Sequence, residues 1–220
     1  MVMSKRNKAF SLVELIAVMG VIVLLLALGT GLYRQTENST SRKAVRSLLL
    51  GGLNTARTRA LATGESVAFV MTPYEQGREN HFGRGFSLFE VTQDEVTREF
   101  EAGTQLRRWS LFPGRFIFSK GTTMSSGGQN AFDQSGVLTV NVRDGNGGQT
   151  LRVEMPAIIF GPSGNVIWPT GGGELELQLT EGSVDSGSAV ATRDGQDNWR
   201  LREVCIVGRQ TGRARFIETR

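Results

Sequence analysis

The chain has 220 residues, with 25 lysines and arginines, 21 acidic residues, one histidine, one cysteine and a formal net charge of +4. This length suits a single soluble domain beside one short accessory segment, and one cysteine excludes an internal disulfide. Because Lys5, Arg6 and Lys8 supply three of the positive charges, the chain after them carries only +1. The charge balance is therefore weak grounds for a nucleic-acid partner.

The first predicted element is a helix on the apolar run from Ala9 to Gly29, which has no charged or hydrogen-bonding side chain after Leu15. From Phe10 the run reaches about 20 residues, the length of a helix that crosses a bilayer. Glu14 interrupts it. A carboxylate at mid-bilayer costs on the order of 2.5–3.5 kcal/mol, and less near the interface, so Glu14 indicates a specific partner. The cations that precede the run predict a cytoplasmic amino end and an exported remainder.

The residues K-R-N-K-A-F-S-L-V-E before and into this run resemble the processing signal of type IV pilins and of the pseudopilins of type II secretion. The resemblance implies that prepilin peptidase removes a leader, residues 1–9, by cutting between Ala9 and Phe10. It also implies N-methylation of Phe10, and pairing of Glu14 with that amine on a neighbouring subunit during assembly. Ala9 departs from the glycine that is usual in the family. By the same resemblance, the subunit would wait in the inner membrane as a single-pass protein with a periplasmic C-terminal domain, and then enter a pilus or pseudopilus.

Two other interpretations of the apolar run stay open. An ordinary secretory signal has the same basic and apolar regions, and Ala27-Leu28-Gly29 offers a small-x-small cleavage site before Thr30. Glu14 argues against it, because a charge in the apolar region of a signal weakens targeting. A plain membrane anchor would span the bilayer, but it explains neither Phe10 nor Glu14.

Beyond the run, polar residues take over from Arg34, and the absence of proline from the first 72 residues predicts that the helix continues. The spacing of apolar and small residues predicts one buried helical face, formed by Val45, Leu49, Gly52, Ala56 and Ala60. Gly64 would cap the helix. The predicted divisions after the leader are a transmembrane helix half at 10–33, an amphipathic helix half at 34–63 and a β-rich domain at 64–220.

After Gly64 the pattern changes to short alternating runs separated by glycine-rich turns, which predicts β-strands. Residues 137–154 read as a hairpin. The predicted fold class is α+β, with one long N-terminal helix, transmembrane in its first half and amphipathic in its second, packed on an antiparallel β-sheet as in pilins.

A second resemblance covers three parts of this region: A-R-T-R-A-L-A-T-G-E-S-V-A-F-V at 56–70, A-I-I-F-G-P-S-G-N-V at 157–166 and V-C-I-V-G-R-Q-T-G-R-A-R-F at 204–216. They resemble the GspH/FimT group of minor pseudopilins and minor pilins, whereas residues 72–151 match nothing in it. The resemblance implies a structural subunit of a type II secretion pseudopilus or a type IV pilus. Its partners would be prepilin peptidase, the inner membrane and other pseudopilins or minor pilins.

The G-R-x-R motif of that group corresponds to residues 212–215. Some competence-associated members use such arginines to bind DNA, which makes Arg213, Arg215 and the nearby Arg209 candidate DNA-binding residues and a DNA-uptake pilin the alternative function. The other interpretation is structural: Gly212 makes a tight turn, and Arg213 and Arg215 pair with acidic neighbours.

No enzymatic constellation is visible, so the sequence predicts neither catalysis nor a cofactor, metal site or small-molecule substrate. His81 has no spaced partner for a zinc site or triad. The Asp144-Gly145-Asn146-Gly147 stretch reads as a turn rather than a calcium loop. Cys205 is predicted to be a buried, inert thiol.

Overall fold

The computed structural model of the chain describes residues 12–74, 81–94, 98–121, 128–133, 137–143, 150–185, 188–192 and 202–217. These residues form one long helix, α1 (Leu12–Thr63), and twelve strands: β1 (Ser66–Met71), β2 (Gly85–Gln93), β3 (Phe100–Leu111), β4 (Phe116–Phe118), β5 (Gln129–Asn130), β6 (Val137–Arg143), β7 (Thr150–Phe160), β8 (Val166–Trp168), β9 (Leu175–Asp185), β10 (Ser188–Ala191), β11 (Glu203–Val207) and β12 (Ala214–Ile217). The chain divides into two compact units, residues 1–43 and 44–220.

The predicted fold class, a long N-terminal helix packed on one antiparallel sheet, is wrong. The described chain is mostly β, its strands form two sheets, and one of these closes on itself. Only the last part of α1, from Ala44 to Thr63, belongs to the unit that contains the strands. The alternating pattern identified strands, but it carries no information on which strands pair, and pairing decides whether a sheet is open or closed.

Five strands of the first sheet form a closed ring, in the order β1-β2-β3-β6-β7 and back to β1. The ring closes because β1 pairs along both edges: Phe69 faces Leu88 of β2 on one side and Ile158 of β7 on the other. The pairing of β3 with β6 is parallel. Strand β8 joins the outside of this ring through β7. The predicted hairpin at 137–154 corresponds to the antiparallel pair β6–β7, while its turn lies outside the described residues.

The second sheet has the strand order β10-β9-β11-β12, and β4 and β5 also pair with β9. The predicted all-antiparallel arrangement fails here too, because β5 runs parallel to β9. Strand β12 stands at the end of the order and pairs with β11, with Cys205 opposite Phe216. The G-R-x-R motif thus lies at the margin of this sheet.

The largest apolar cluster joins α1 to both sheets. Residues of α1 at three- and four-residue spacing are fully buried in it, namely Val45, Leu49, Leu53, Ala56 and Ala60. The cluster continues into β1 and β2 through Phe69 and Phe86 and into β9 through Leu177. Gly52 allows the close approach of the helix, since a Cβ atom there would lie 2.4 Å from the Phe86 ring. A separate apolar cluster is formed by the opposite faces of β1, β2, β6 and β7.

The predicted transmembrane helix and single-pass inner-membrane location are also corrected. In the parts of the chain that the structure describes, no helix combines the length and the apolar character that crossing a membrane requires.

Candidate assembly and nucleic-acid interfaces

The N-terminal part of α1 presents apolar side chains on every side. The large apolar residues from Leu12 to Leu25, hereafter the apolar segment, are each between 50% and 74% exposed. Because consecutive helical residues are rotated by about 100°, such a run covers the whole circumference of the helix. A helix that is apolar all round is normally buried in a larger structure. The apolar segment is therefore a surface that we expect to be buried against another structure.

Glu14 is the one ionisable residue of the apolar segment. It lies in the first turn of α1, and its residue is exposed. Ala9 and Phe10 lie outside the described residues. Cleavage between them and pairing of Glu14 with the Phe10 amine stay predictions.

Arg209, one of the three arginines predicted to bind DNA, is tied to the protein itself. Its Nε donates to the carbonyl of Gly173 at 2.9 Å, and its two other nitrogens donate to the carbonyl of Pro169 and to Oε1 of Gln129. Partial burial lowers the pKa of the guanidinium from its usual value. Arg209 therefore fastens the connection between β8 and β9 to β5, and each of its three nitrogens donates one hydrogen bond within the chain.

Arg213 and Arg215 are both exposed. Arg213 lies just before β12, and Arg215 lies within it. Arg215 Nη2 lies 3.4 Å from Oε1 of Glu174, with side chains that are 65% and 45% exposed. Exposed ion pairs of this kind contribute about 0–1 kcal/mol, so Glu174 neutralises Arg215 only weakly. The structure places these two arginines on one accessible margin, whereas Arg209 is hydrogen-bonded to neighbouring segments.

The glycine of the motif, Gly212, both forms a tight turn, as the sequence predicted, and packs against a second turn, which the sequence did not predict. The turn between β11 and β12 is closed by a hydrogen bond from Gly212 N to Gly208 O at 2.7 Å. Gly212 is buried with φ +61°, and a Cβ atom there would lie 2.0 Å from the carbonyl oxygen of Gly164. The predicted tight turn is confirmed, and it packs directly on the turn at residues 161–165.

Two helical arginines that sequence reasoning left unassigned hold this hairpin to α1. Arg46 Nη2 lies 2.5 Å from Oε2 of Glu203, whose side chain is only 1% exposed, and its guanidinium lies over the ring of Phe216. Arg57 Nε donates to the carbonyl of Thr211 at 2.6 Å. Residues eleven apart lie on the same side of a helix after three turns. The eleven-residue spacing of Arg46 and Arg57, next to the buried face of the helix, was the signal in the sequence that could have identified these two arginines.

Cys205 and His81 are the remaining candidate groups that the sequence singled out. Cys205 is fully buried, as predicted, and desolvation raises the pKa of its thiol to about 12. The ring of His81 lies 6.4 Å from the ring of Trp109. Among the described residues, no group of three or more His, Cys, Asp and Glu side chains is placed to hold a metal ion. The stretch Asp144–Gly147 falls outside those residues.

No family model matches the chain, and searches of curated proteins and of solved structures likewise give no match. The likeness to pilins and to the GspH/FimT group thus rests on the quoted sequence motifs.

Proposed function

We propose that the chain is a structural subunit of a pilus-like filament, either a minor pseudopilin of a type II secretion pseudopilus or a minor pilin of a type IV pilus. The apolar segment supports this best, because it is long, exposed on all sides and apolar apart from Glu14. Packing against equivalent helices of neighbouring subunits would cover it. Fully burying one large apolar side chain contributes about 1.5–3 kcal/mol, so even partial burial of the segment is a strong driving force for assembly.

In this proposal, prepilin peptidase exposes the amine of Phe10, and Glu14 of one subunit pairs with that amine on the next. A carboxylate and an ammonium ion in an apolar core are each costly alone, and pairing offsets the cost. The pair would also fix the axial register of adjacent helices, since any other register leaves two charges unpaired. Other pseudopilins or minor pilins are the expected neighbours.

The substitution Ile16→Asp tests whether the apolar segment is buried in an assembly. Ile16 is 60% exposed in the single chain, so the new carboxylate should leave the thermal unfolding midpoint nearly unchanged. In an apolar filament core it would be buried without a partner, at a cost of several kcal/mol, and incorporation into filaments sheared from the producing cells should fall at least about a hundredfold.

The matched control for Ile16→Asp is Thr58→Asp, at an exposed position of α1 outside the apolar segment. It should assemble normally. Filaments that accept the Ile16→Asp chain as readily as the wild-type chain would show that the segment is not buried on assembly, and the proposal would fail.

Capture of duplex DNA is the second candidate function, favoured by the exposure of Arg213 and Arg215 on one margin. The purified chain should then retard duplex DNA, with an affinity that falls steeply as salt is raised. Reversal of both charges, Arg213→Glu with Arg215→Glu, should abolish retardation, whereas Lys43→Glu should not. Retardation that survives the double reversal would exclude these arginines as the DNA site.

A further inference from the structure

We draw no further inference here: the strongest candidate, the open groove on the exposed face of α1 lined by Asn54, Thr55, Thr58, Arg59 and Ala62, carries nothing, because nothing in the described part of the structure shows what covers it.

Discussion

Glu14→Ala is expected to reduce incorporation of the chain into filaments at least about a hundredfold. In the proposed filament core, the substitution removes the partner of a buried ammonium group at Phe10 of the neighbouring subunit. Breaking a buried ion pair by removing one member costs about 3–5 kcal/mol, and about 1.4 kcal/mol corresponds to a factor of ten. The measurement is the amount of the variant in sheared filaments relative to the amount in the cells.

Folding of the single chain should be unaffected by Glu14→Ala, because Glu14 is exposed in the first turn of α1. Glu14→Asp, which keeps a carboxylate with a shorter reach, should retain part of the assembly, and Glu14→Gln should resemble Glu14→Ala. An alanine variant that assembles as well as the wild type would remove the assigned role of this carboxylate.

Gly212→Ala is expected to lower the free energy of unfolding by about 3 kcal/mol. The backbone at Gly212 has φ +61°, which costs a non-glycine residue about 1–2 kcal/mol. The added Cβ atom would also lie 2.0 Å from the carbonyl oxygen of Gly164. The surrounding backbone must shift to make room for it, which costs about a further 1–3 kcal/mol. For a chain of this size the thermal midpoint should fall by about 6–12 °C.

The matched control for Gly212→Ala is Gly51→Ala, on the exposed side of α1, where a Cβ atom would meet nothing within 4 Å. Alanine is favoured over glycine inside a helix by about 1 kcal/mol, so this variant should be as stable as the wild type or slightly more so. If Gly212→Ala unfolded at the wild-type temperature, the packing of the β11–β12 turn on the turn at 161–165 would be wrong.

Local periodicity carried much of the strand and helix information in the sequence. The α1 positions Val45, Leu49, Ala56 and Ala60 share one face by their spacing, and all four are buried. Periodicity could not reveal the closure of the ring, which depends on pairing of β1 with β7, about 90 residues away in the chain. Pairing at such a separation is a tertiary property, and the run-by-run pattern does not encode it.

Strand β9 shows a second limit of such patterns. Its alternation of leucines with Glu176, Gln178 and Thr180 predicts a polar face in water, but all three polar residues are fully buried. Gln178 Nε2 donates to Oε2 of Glu176 at 3.0 Å, and Arg202 Nη2 donates to Oε1 of Gln178 at 2.7 Å. Buried polar groups with hydrogen-bond partners are tolerated, and one of these partners, Arg202, lies outside β9, in the segment just before β11.

At the candidate sites, motifs in the sequence point to particular residues but do not show what those residues contact. The apolar segment, Glu14 and the turn at Gly212 were all identifiable from composition and motif. Arg209 looked equivalent to Arg213 and Arg215, and only its acceptors in three other segments show that it fastens loops together. Arg46 and Arg57 were overlooked, because their contacts lie more than 150 residues away.

The intact mass of the chain isolated from the cells that produce it tests the filament proposal most directly. The proposal predicts a chain that begins at Phe10, after removal of residues 1–9, and carries one added methyl group at its amino terminus. A native chain that begins at Thr30 would have lost Glu14 together with the apolar segment, and a chain that retains Met1 would have no amine at Phe10 to pair with it. Either result would contradict assembly through the Glu14–Phe10 pair.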